Sequence, residues 1–313
     1  MSPADTTESP SPRLRGEGRG EGGSKRLRRT QTISGAQDRR PLTPLLLAAP
    51  AVTMVLVLFV YPLGFSLVSA FTNPDGQLGF DNFAKSFALY GRDILFTIVI
   101  VTVSTALIAV LAAAIGGYLV LGEHPRAVAA LKWLYRWPLF VPFIVAAQCM
   151  RGFLAKNGML NNTLDMLGIV DAGSLAGLLD WRGIIATFVW KETPFVALLV
   201  SGAMAALDRS GIEAARNLGA GGLRILCGII VPQVAGVFTV GLVLAFVTML
   251  SVLSVPIMIS GGSPTMITVD MTFRVNSYSD YGTANALGFI SYLIAAGAGW
   301  AYIRRNIAGT RAP

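Results

Sequence analysis

The sequence contains few of the side chains on which catalytic and metal sites depend. Only 1 histidine and 2 cysteines occur in 313 residues, and 13% of the residues are charged. Neither GxxxxGKS nor GxxxxGKT is present, so the chain lacks the phosphate loop of an ATPase. No set of His, Cys, Asp and Glu has metal-ligand spacing, and no catalytic triad is visible. We therefore expect no enzyme activity, no metal site and no cofactor bound by this chain.

The cysteines and the start of the chain add further exclusions. Cys149 falls in an apolar segment and Cys227 in a polar loop, so a disulfide between them is not expected. Residues 1–40 have almost no large apolar side chains, which predicts a disordered basic cytoplasmic tail. No apolar stretch precedes Leu45, so a secretory signal peptide is not expected. The basic run from Lys25 to Arg29 either contacts anionic lipid head groups or is simply solvated.

Long apolar segments dominate the rest of the chain. The composition is 53% hydrophobic with a mean hydropathy of +0.61, too apolar for a soluble domain of this length. A helix needs about 20 apolar residues to cross a bilayer, and the alternation typical of barrel strands is missing. Residues 41–313 are therefore predicted to form an all-α transmembrane bundle of about six spans. The predicted spans run from Thr43 to Phe71, Ile94 to Leu121, Trp133 to Gly152, Gly183 to Leu207, Ile229 to Ile259, and Thr283 to Ile303.

The basic residues predict the orientation of these spans. With the N-terminus inside, most of the 25 Lys and Arg residues lie in the tail or in cytoplasmic loops. Both termini are then cytoplasmic. Trp133, Trp137 and Trp300 fall at the inner ends of their predicted spans, as interfacial anchors do. The net charge of +8 is explained by this orientation, and no nucleic acid partner is expected.

The predicted cytoplasmic loop 208–228 is too polar for lipid and too regular for a passive linker. Ser210 and Glu213 have the spacing of a capping box, which predicts the start of a short helix. Gly219 offers the left-handed residue that ends such a helix after about two turns. A second helix is predicted to begin near Leu223 and to continue into the fifth span, with Pro232 in its early part.

This loop resembles a known signature. The stretch EAARNLGAGGLRILCGIIVP is similar to the EAA motif of binding-protein-dependent ABC importer permeases. Glu213, Gly219, Ile229 and Pro232 fall in register, with Val231 where Leu is usual. The resemblance implies the type I importer permease fold and a coupling segment that docks on an ATPase subunit. The residues implied in that docking are Glu213, Ala214, Ala215, Gly219, Ala220 and Pro232.

Softer patterns indicate a branch of this family. The segments GFDNFAKSF and GMLNNTLDMLGI, and the late stretch ISGGSPTMITVDMTFRVNSYSDYGTANALGFI, resemble the carbohydrate-type permeases, relatives of those for maltose and glycerol-3-phosphate. Ser263 stands where Gly is common in that late motif. The resemblance implies a multi-pass subunit of the bacterial inner membrane that forms half of a solute path. Its implied partners are a second permease, an ATPase dimer that binds ATP and Mg, an external solute-binding protein, membrane lipid and a small-molecule solute.

Alternatives of two kinds remain open. Within the importer family, a sugar or sugar derivative is the expected solute, and a polyamine, a phosphate ester or another small molecule is the alternative. Outside it, a secondary transporter working without ATP is the rival, and it predicts inverted repeats that we do not see clearly in this sequence.

Charged residues inside an apolar segment point to the solute path. Lys191 and Glu192 lie near the middle of the fourth predicted span, where each charge costs about 2.5–3.5 kcal/mol on insertion scales. Neighbouring residues on a helix cannot pair ideally, so at least one is expected to face another span or a wet cavity. They either line the translocation path or form a buried ion pair that shapes the bundle. Gln148 in the third span is a weaker candidate of the same kind.

Overall fold

The computed structural model describes residues 42–73, 75–169, 176–260 and 262–309. The predicted disordered tail lies outside these residues. The chain divides between Thr53 and Met54 into two units. Of the first unit, the structure describes only residues 42–53, which begin a helix. The later helices belong to the second unit.

The described residues are mostly helical and contain no strand. Two π-helical segments, Leu56–Val60 and Leu226–Ile230, and a 3-10 turn, Trp137–Phe140, interrupt the α-helices. The α-helices are α1 (Leu42–Val55), α2 (Tyr61–Phe71), α3 (Asp81–Leu121), α4 (Pro125–Leu134), α5 (Phe143–Leu154), α6 (Met159–Met166), α7 (Trp181–Ala205), α8 (Ser210–Asn217), α9 (Gly222–Ile225), α10 (Val231–Gln233), α11 (Ala235–Ser251), α12 (Ser254–Ile259), α13 (Ile267–Tyr278) and α14 (Tyr281–Gly309).

Each π segment ends two residues before a proline. The amide of Tyr61 donates to the carbonyl of Leu56, and that of Val231 donates to Leu226, five residues back in both cases. The next residue is Pro62 or Pro232, which has no N–H and whose ring crowds the carbonyl four residues before it. The wider turn relieves this crowding. The helix then continues through Pro62 to Phe71, whereas it ends at Gln233, one residue after Pro232.

Helix α7 lies at the centre of the bundle. In its most apolar window 67% of the residues are buried, against 0% in the most apolar window of Ala48–Phe71. Phe188, Val196 and Val200 on α7 are fully buried, and α3 is its main packing partner. Charged groups on α7 are therefore enclosed by protein, whereas most side chains of residues 54–68 are exposed.

The number of spans agrees with the prediction of about six. Among the described residues, four helices are long and apolar enough to cross a membrane, and two bent helix pairs raise the number to six if each pair is one span. The fourth and sixth predicted spans match α7 and the first part of α14. The hydrocarbon core of a bilayer cannot form hydrogen bonds with main-chain groups, so helices are the expected way for these segments to cross it.

The third and fifth spans are not the continuous helices that the sequence predicted. The third breaks between Phe140 and Phe143, with 108° between the segments on either side. Val141 is extended at this break, with a ψ of 121°, because the ring of Pro142 disfavours the helical conformation for the residue before it. The fifth bends by 80° between Gln233 and Ala235, directly after Pro232.

Helix α3 also begins earlier than predicted. It starts at Asp81, not at Ile94, and its first turns are polar. They lie in a polar cluster at the end of α3 remote from the 208–228 loop, described below.

Candidate functional site

The loop 208–228 folds as a hairpin of two short helices, α8 and α9. Ile212 on α8 is buried, and Ala215 is half-buried against the core. Glu213 and Ala214 are exposed on the other side of the same helix. The short alanine side chains keep α8 slim, so the helix presents a carboxylate on a surface without bulky neighbours.

The start of α8 is capped differently from the prediction. Ser210 does not cap the helix, and the Ser210–Glu213 capping box is absent. Instead the carboxylate of Asp208 accepts from the Ser210 amide at 3.1 Å and from its hydroxyl at 2.6 Å. These hydrogen bonds hold the pKa of Asp208 below its usual value. Since Asp208 satisfies the donors, Glu213 is left available at the surface.

The end of α8 is as predicted. Gly219 has a φ of +79°, in the left-handed region. Its amide donates to the carbonyl of Arg216, and the amide of Ala220 donates to that of Ala215, both at 2.9 Å. This pair of bonds is a Schellman motif, which requires a residue free to adopt positive φ.

Two contacts fasten the hairpin to α3. The guanidinium of Arg216 donates to the main-chain carbonyl of Leu121, the last residue of α3, at 3.0 Å. On the same helix Gly117 leaves room for Leu226, because a Cβ at position 117 would lie 2.7 Å from that side chain. The hairpin is therefore joined at these two points to a 41-residue helix.

The hairpin also carries exposed apolar side chains that the sequence analysis did not single out. Leu218 is 88% exposed and Leu223 is 76% exposed, on either side of the turn. Large apolar residues at such exposure are typical of interaction surfaces. Two leucines at the turn of an otherwise polar loop were the feature of the sequence that could have indicated this surface.

The predicted path residues lie where α7 meets the break in the third span. Lys191 is 7% exposed, and its ammonium group donates a long hydrogen bond of 3.4 Å to the carbonyl of Leu139 in the 3-10 turn. The same group lies 5.0 Å from the centre of the Phe143 ring, a cation–π distance. Lys191 thus contacts a residue on each side of the break between Phe140 and Phe143.

Glu192 and its neighbours complete this region. Glu192 is 5% exposed, and within the described part of the chain it has neither a hydrogen bond nor an ion pair. The hydroxyl of Thr193 is buried and also lacks a partner there. Both interpretations of the two charges, a wall of the path and a buried ion pair, therefore stay predictions. Gln148 is exposed on α5, and no described hydrogen bond joins it to either residue.

Comparison with known proteins gives the family. Residues 96–303 match the model of the binding-protein-dependent transport system inner membrane component. The chain belongs to this family. It is therefore an inner membrane permease subunit of a transport system that uses a binding protein.

Relatives of the permease extend the likeness to most of the chain. The sulfoquinovosyl glycerol transport system permease protein SmoG of Agrobacterium fabrum is 26% identical over 81% of this chain and 86% of its own length. The trehalose/maltose transport system permease protein MalF of Thermococcus litoralis is 26% identical over 80% and 88%. A permease chain of the bacterial alginate ABC transporter has the same fold, with a TM-score of 0.71 at 18% identity, covering 87% of this chain and 96% of that one.

At the other end of α3, the permease has a polar cluster that the sequence did not reveal. The carboxylate of Asp93 accepts from the Thr265 amide at 2.7 Å, fixing the start of α13. Further along, Lys85 pairs with Asp280 at 2.6 Å. Arg274 donates to the Tyr90 hydroxyl at 2.6 Å. These contacts explain why the first turns of α3 are polar and helical.

Asp270 lies beside this cluster. It is 6% exposed, and one of its carboxylate oxygens has no hydrogen-bond partner in the described structure. Burial and the nearby charge of Asp93 raise the pKa of Asp270 to about 7, against an opposing effect of Arg274. We therefore expect the packing of α13 to depend on pH near neutrality.

Proposed function

We propose that this permease is driven by ATP through the hairpin 208–228, which docks on an ATPase partner. The observation that carries the proposal is the position of Glu213. It stands exposed on a slim helix, in register with the EAA motif, and that helix is fastened to α3. Glu213, Ala214, Gly219, Ala220 and the exposed Leu218 would form the docking surface, with Ala215 and Pro232 supporting it.

The contacts of the hairpin support a lever mechanism. Closure of the ATPase dimer would pull on α8, and Arg216 and Leu226 would transmit the displacement to α3. Because α3 packs along α7, a shift of one changes the environment of the other. Alternating access would follow from this coupled movement of α3 and α7 against the second permease subunit.

We infer that the solute passes the break in the third span. Discontinuous helices near the middle of a membrane offer main-chain groups to solutes in other transporters. Here Lys191 and Glu192 on α7, the carbonyl of Leu139, and Gln148 on α5 would form one wall of the path. The solute is a carbohydrate or carbohydrate derivative, a class supported by the names of SmoG, MalF and the alginate importer.

The chemistry of ATP is assigned to partner subunits. The chain has no phosphate loop, so ATP and Mg would be bound and hydrolysed in the ATPase dimer. A second permease would complete the path, and an external binding protein would deliver the solute. Both termini and the hairpin are placed on the cytoplasmic side by the distribution of basic residues.

Cross-linking from α8 tests the docking. A photoreactive residue in place of Leu218, in the purified importer, should capture the ATPase subunit, and the same residue in place of Met159 on α6 should not. Glu213→Ala should abolish uptake and solute-stimulated ATP hydrolysis while the permease stays in the membrane. Capture of no ATPase, or unchanged uptake and hydrolysis, would refute the docking.

A solute panel tests the path and the rival functions. Uptake by cells expressing the whole importer should be highest for a sugar or sugar derivative, compared with a polyamine and a simple phosphate ester. Vesicles loaded with a non-hydrolysable ATP analogue should show none. Uptake driven by an ion gradient alone would instead establish a secondary transporter.

A further inference from the structure

A groove on the outer side of α4 and the 3-10 turn has no role in the proposed transport cycle. It has a volume of about 450 Å³, which falls in the range of small-molecule pockets, roughly 300–1,000 Å³. It is lined by Ala129, Lys132, Trp133, Arg136, Trp137 and Phe140. Tyr135 and Pro138, between these residues, are buried, so the groove faces away from the bundle.

The groove combines cations with exposed aromatic rings. Trp133 is 72% exposed, Trp137 60% and Phe140 81%. Lys132 and Arg136 stand four residues apart on the same face, next to the two tryptophans, which have the same spacing. The segment 125–140 contains no Asp or Glu. Within the described residues, neither Lys132 nor Arg136 forms an ion pair.

Arg136 is held in place without being neutralised. Its Nε donates to the hydroxyl of Tyr135 at 3.1 Å, and its guanidinium lies 5.6 Å from the centre of the Tyr135 ring. Because Tyr135 is anchored in the core, the arginine is ordered before any ligand arrives. An ordered guanidinium binds phosphate at a smaller entropic cost than a free one.

The location of the groove selects the ligand. Helix α4 begins four residues after Leu121, whose carbonyl binds Arg216 of the hairpin. The groove therefore starts at the hairpin end of the bundle, which the basic residues assign to the cytoplasm, and the cytoplasmic leaflet is the anionic one. Tryptophan side chains, and long basic side chains that extend to the lipid head groups, are typical of the membrane–water interface.

We propose that the groove binds the head group of an anionic phospholipid. Lys132 and Arg136 would contact the phosphate, while Trp133, Trp137 and Phe140 cover the glycerol backbone and upper acyl chain. The bound lipid would brace the segment that leads into the break beside Lys191. The proposal concerns a site separate from both the hairpin and the solute path.

Lipid binding to the purified importer complex tests the site. Native mass spectrometry should show phosphatidylglycerol retained over phosphatidylcholine on the wild-type complex. A basic residue near an anionic surface is worth about 1 kcal/mol, which is about fivefold in affinity, so K132Q/R136Q should reduce retention roughly 25-fold. The matched control is R126Q, which removes a charge from the same helix outside the groove and should have little effect.

A second measurement leaves both cations in place. A photoreactive benzoylphenylalanine at position 133 should form adducts with phosphatidylglycerol in native membranes. Capture of the second permease subunit or of another copy of this chain would overturn the proposal. So would equal retention of the two lipids, or an equal loss of retention in R126Q.

Discussion

The guanidinium of Arg216 donates a hydrogen bond to the carbonyl of Leu121, joining the middle of the hairpin to the last residue of α3. A helix end leaves its last carbonyls without intrahelical donors, so a cation from another element both satisfies one of them and complements the helix dipole. The bond is exposed, and its strength is expected to be modest. Its value lies in tying two elements that are remote in sequence.

Arg216→Met should weaken the transmission of movement from the hairpin to α3. The bond to a charged donor at an exposed site contributes about 0.5–1.5 kcal/mol, so solute uptake should fall a few-fold with normal membrane insertion. Arg209→Met, which removes an arginine of the same loop that has no described side-chain hydrogen bond, is the control. Wild-type uptake in Arg216→Met would show that α3 does not depend on this bond.

Gly219→Val should disrupt the end of α8. The space around position 219 is open, so the effect arises from the backbone: a left-handed conformation costs an ordinary residue about 1–2 kcal/mol, and a β-branched one more. Uptake should drop strongly, whereas Gly219→Asn should retain much of it because Asn tolerates this conformation. Gly221→Val, at an equally open position with φ of −69°, is the matched control. Equal loss in both valine variants would contradict the argument.

Glu192→Gln should separate a functional charge from a structural one. The wild-type carboxylate is buried without a described ion pair, so the neutral amide of the same shape removes the cost of burying a charge. The melting temperature of the purified complex should rise by a few degrees while uptake falls. Glu123→Gln, at an exposed position, should change neither property. A fall in melting temperature would mean that Glu192 has a stabilising partner in the complex.

Stability should fall as the pH rises through neutrality, and Asp270 should be responsible. Its pKa is raised from 3.8 to about 7 in the folded chain, so the folded state keeps a proton that the unfolded chain releases. This contribution is fully present below pH 4 and is lost as the pH passes 7. Between pH 5.5 and 8 the loss amounts to about 2 kcal/mol.

Hydrogen exchange in α13 measures this effect locally. Protection of residues 267–278 should decrease from pH 5.5 to 8 after correction for the intrinsic exchange rate, and Asp270→Asn should abolish the decrease. Asp75→Asn, at an exposed position, should leave it intact. A decrease that persists in Asp270→Asn would place the titrating group elsewhere.

Local patterns predicted the parts of the fold that depend on neighbouring residues. The apolar run of α7 was placed to within two residues at each end, and the end of α8 at Gly219 followed from one residue type. Both features are decided by hydropathy or by backbone freedom within a few residues. Sequence alone was therefore sufficient for them.

Features that depend on distant partners were missed. The polar start of α3 seemed to belong to a loop, because its partners Thr265 and Asp280 lie at the far end of the chain. The break in the third span was hidden by continuous hydrophobicity, although Pro138 and Pro142 marked it. At the start of α8, Asp208 and Ser210 each offer a side-chain oxygen to the main chain. In the structure Asp208 accepts the hydrogen bond and Ser210 does not.

The π segment Leu226–Ile230 gives the hairpin tolerance to a change in its length. In an ordinary α-helix each residue contributes a rotation of about 100°, whereas a wide turn holds one residue more within the same turn. Loss of a single residue at the π segment would therefore restore an ordinary turn and leave the rotation of α9 nearly unchanged, whereas loss of a residue from α11 would shift the helical register by about a quarter of a circle. Homologues that lack the extra residue at the π segment should therefore still exchange ATPase partners where their docking residues are identical.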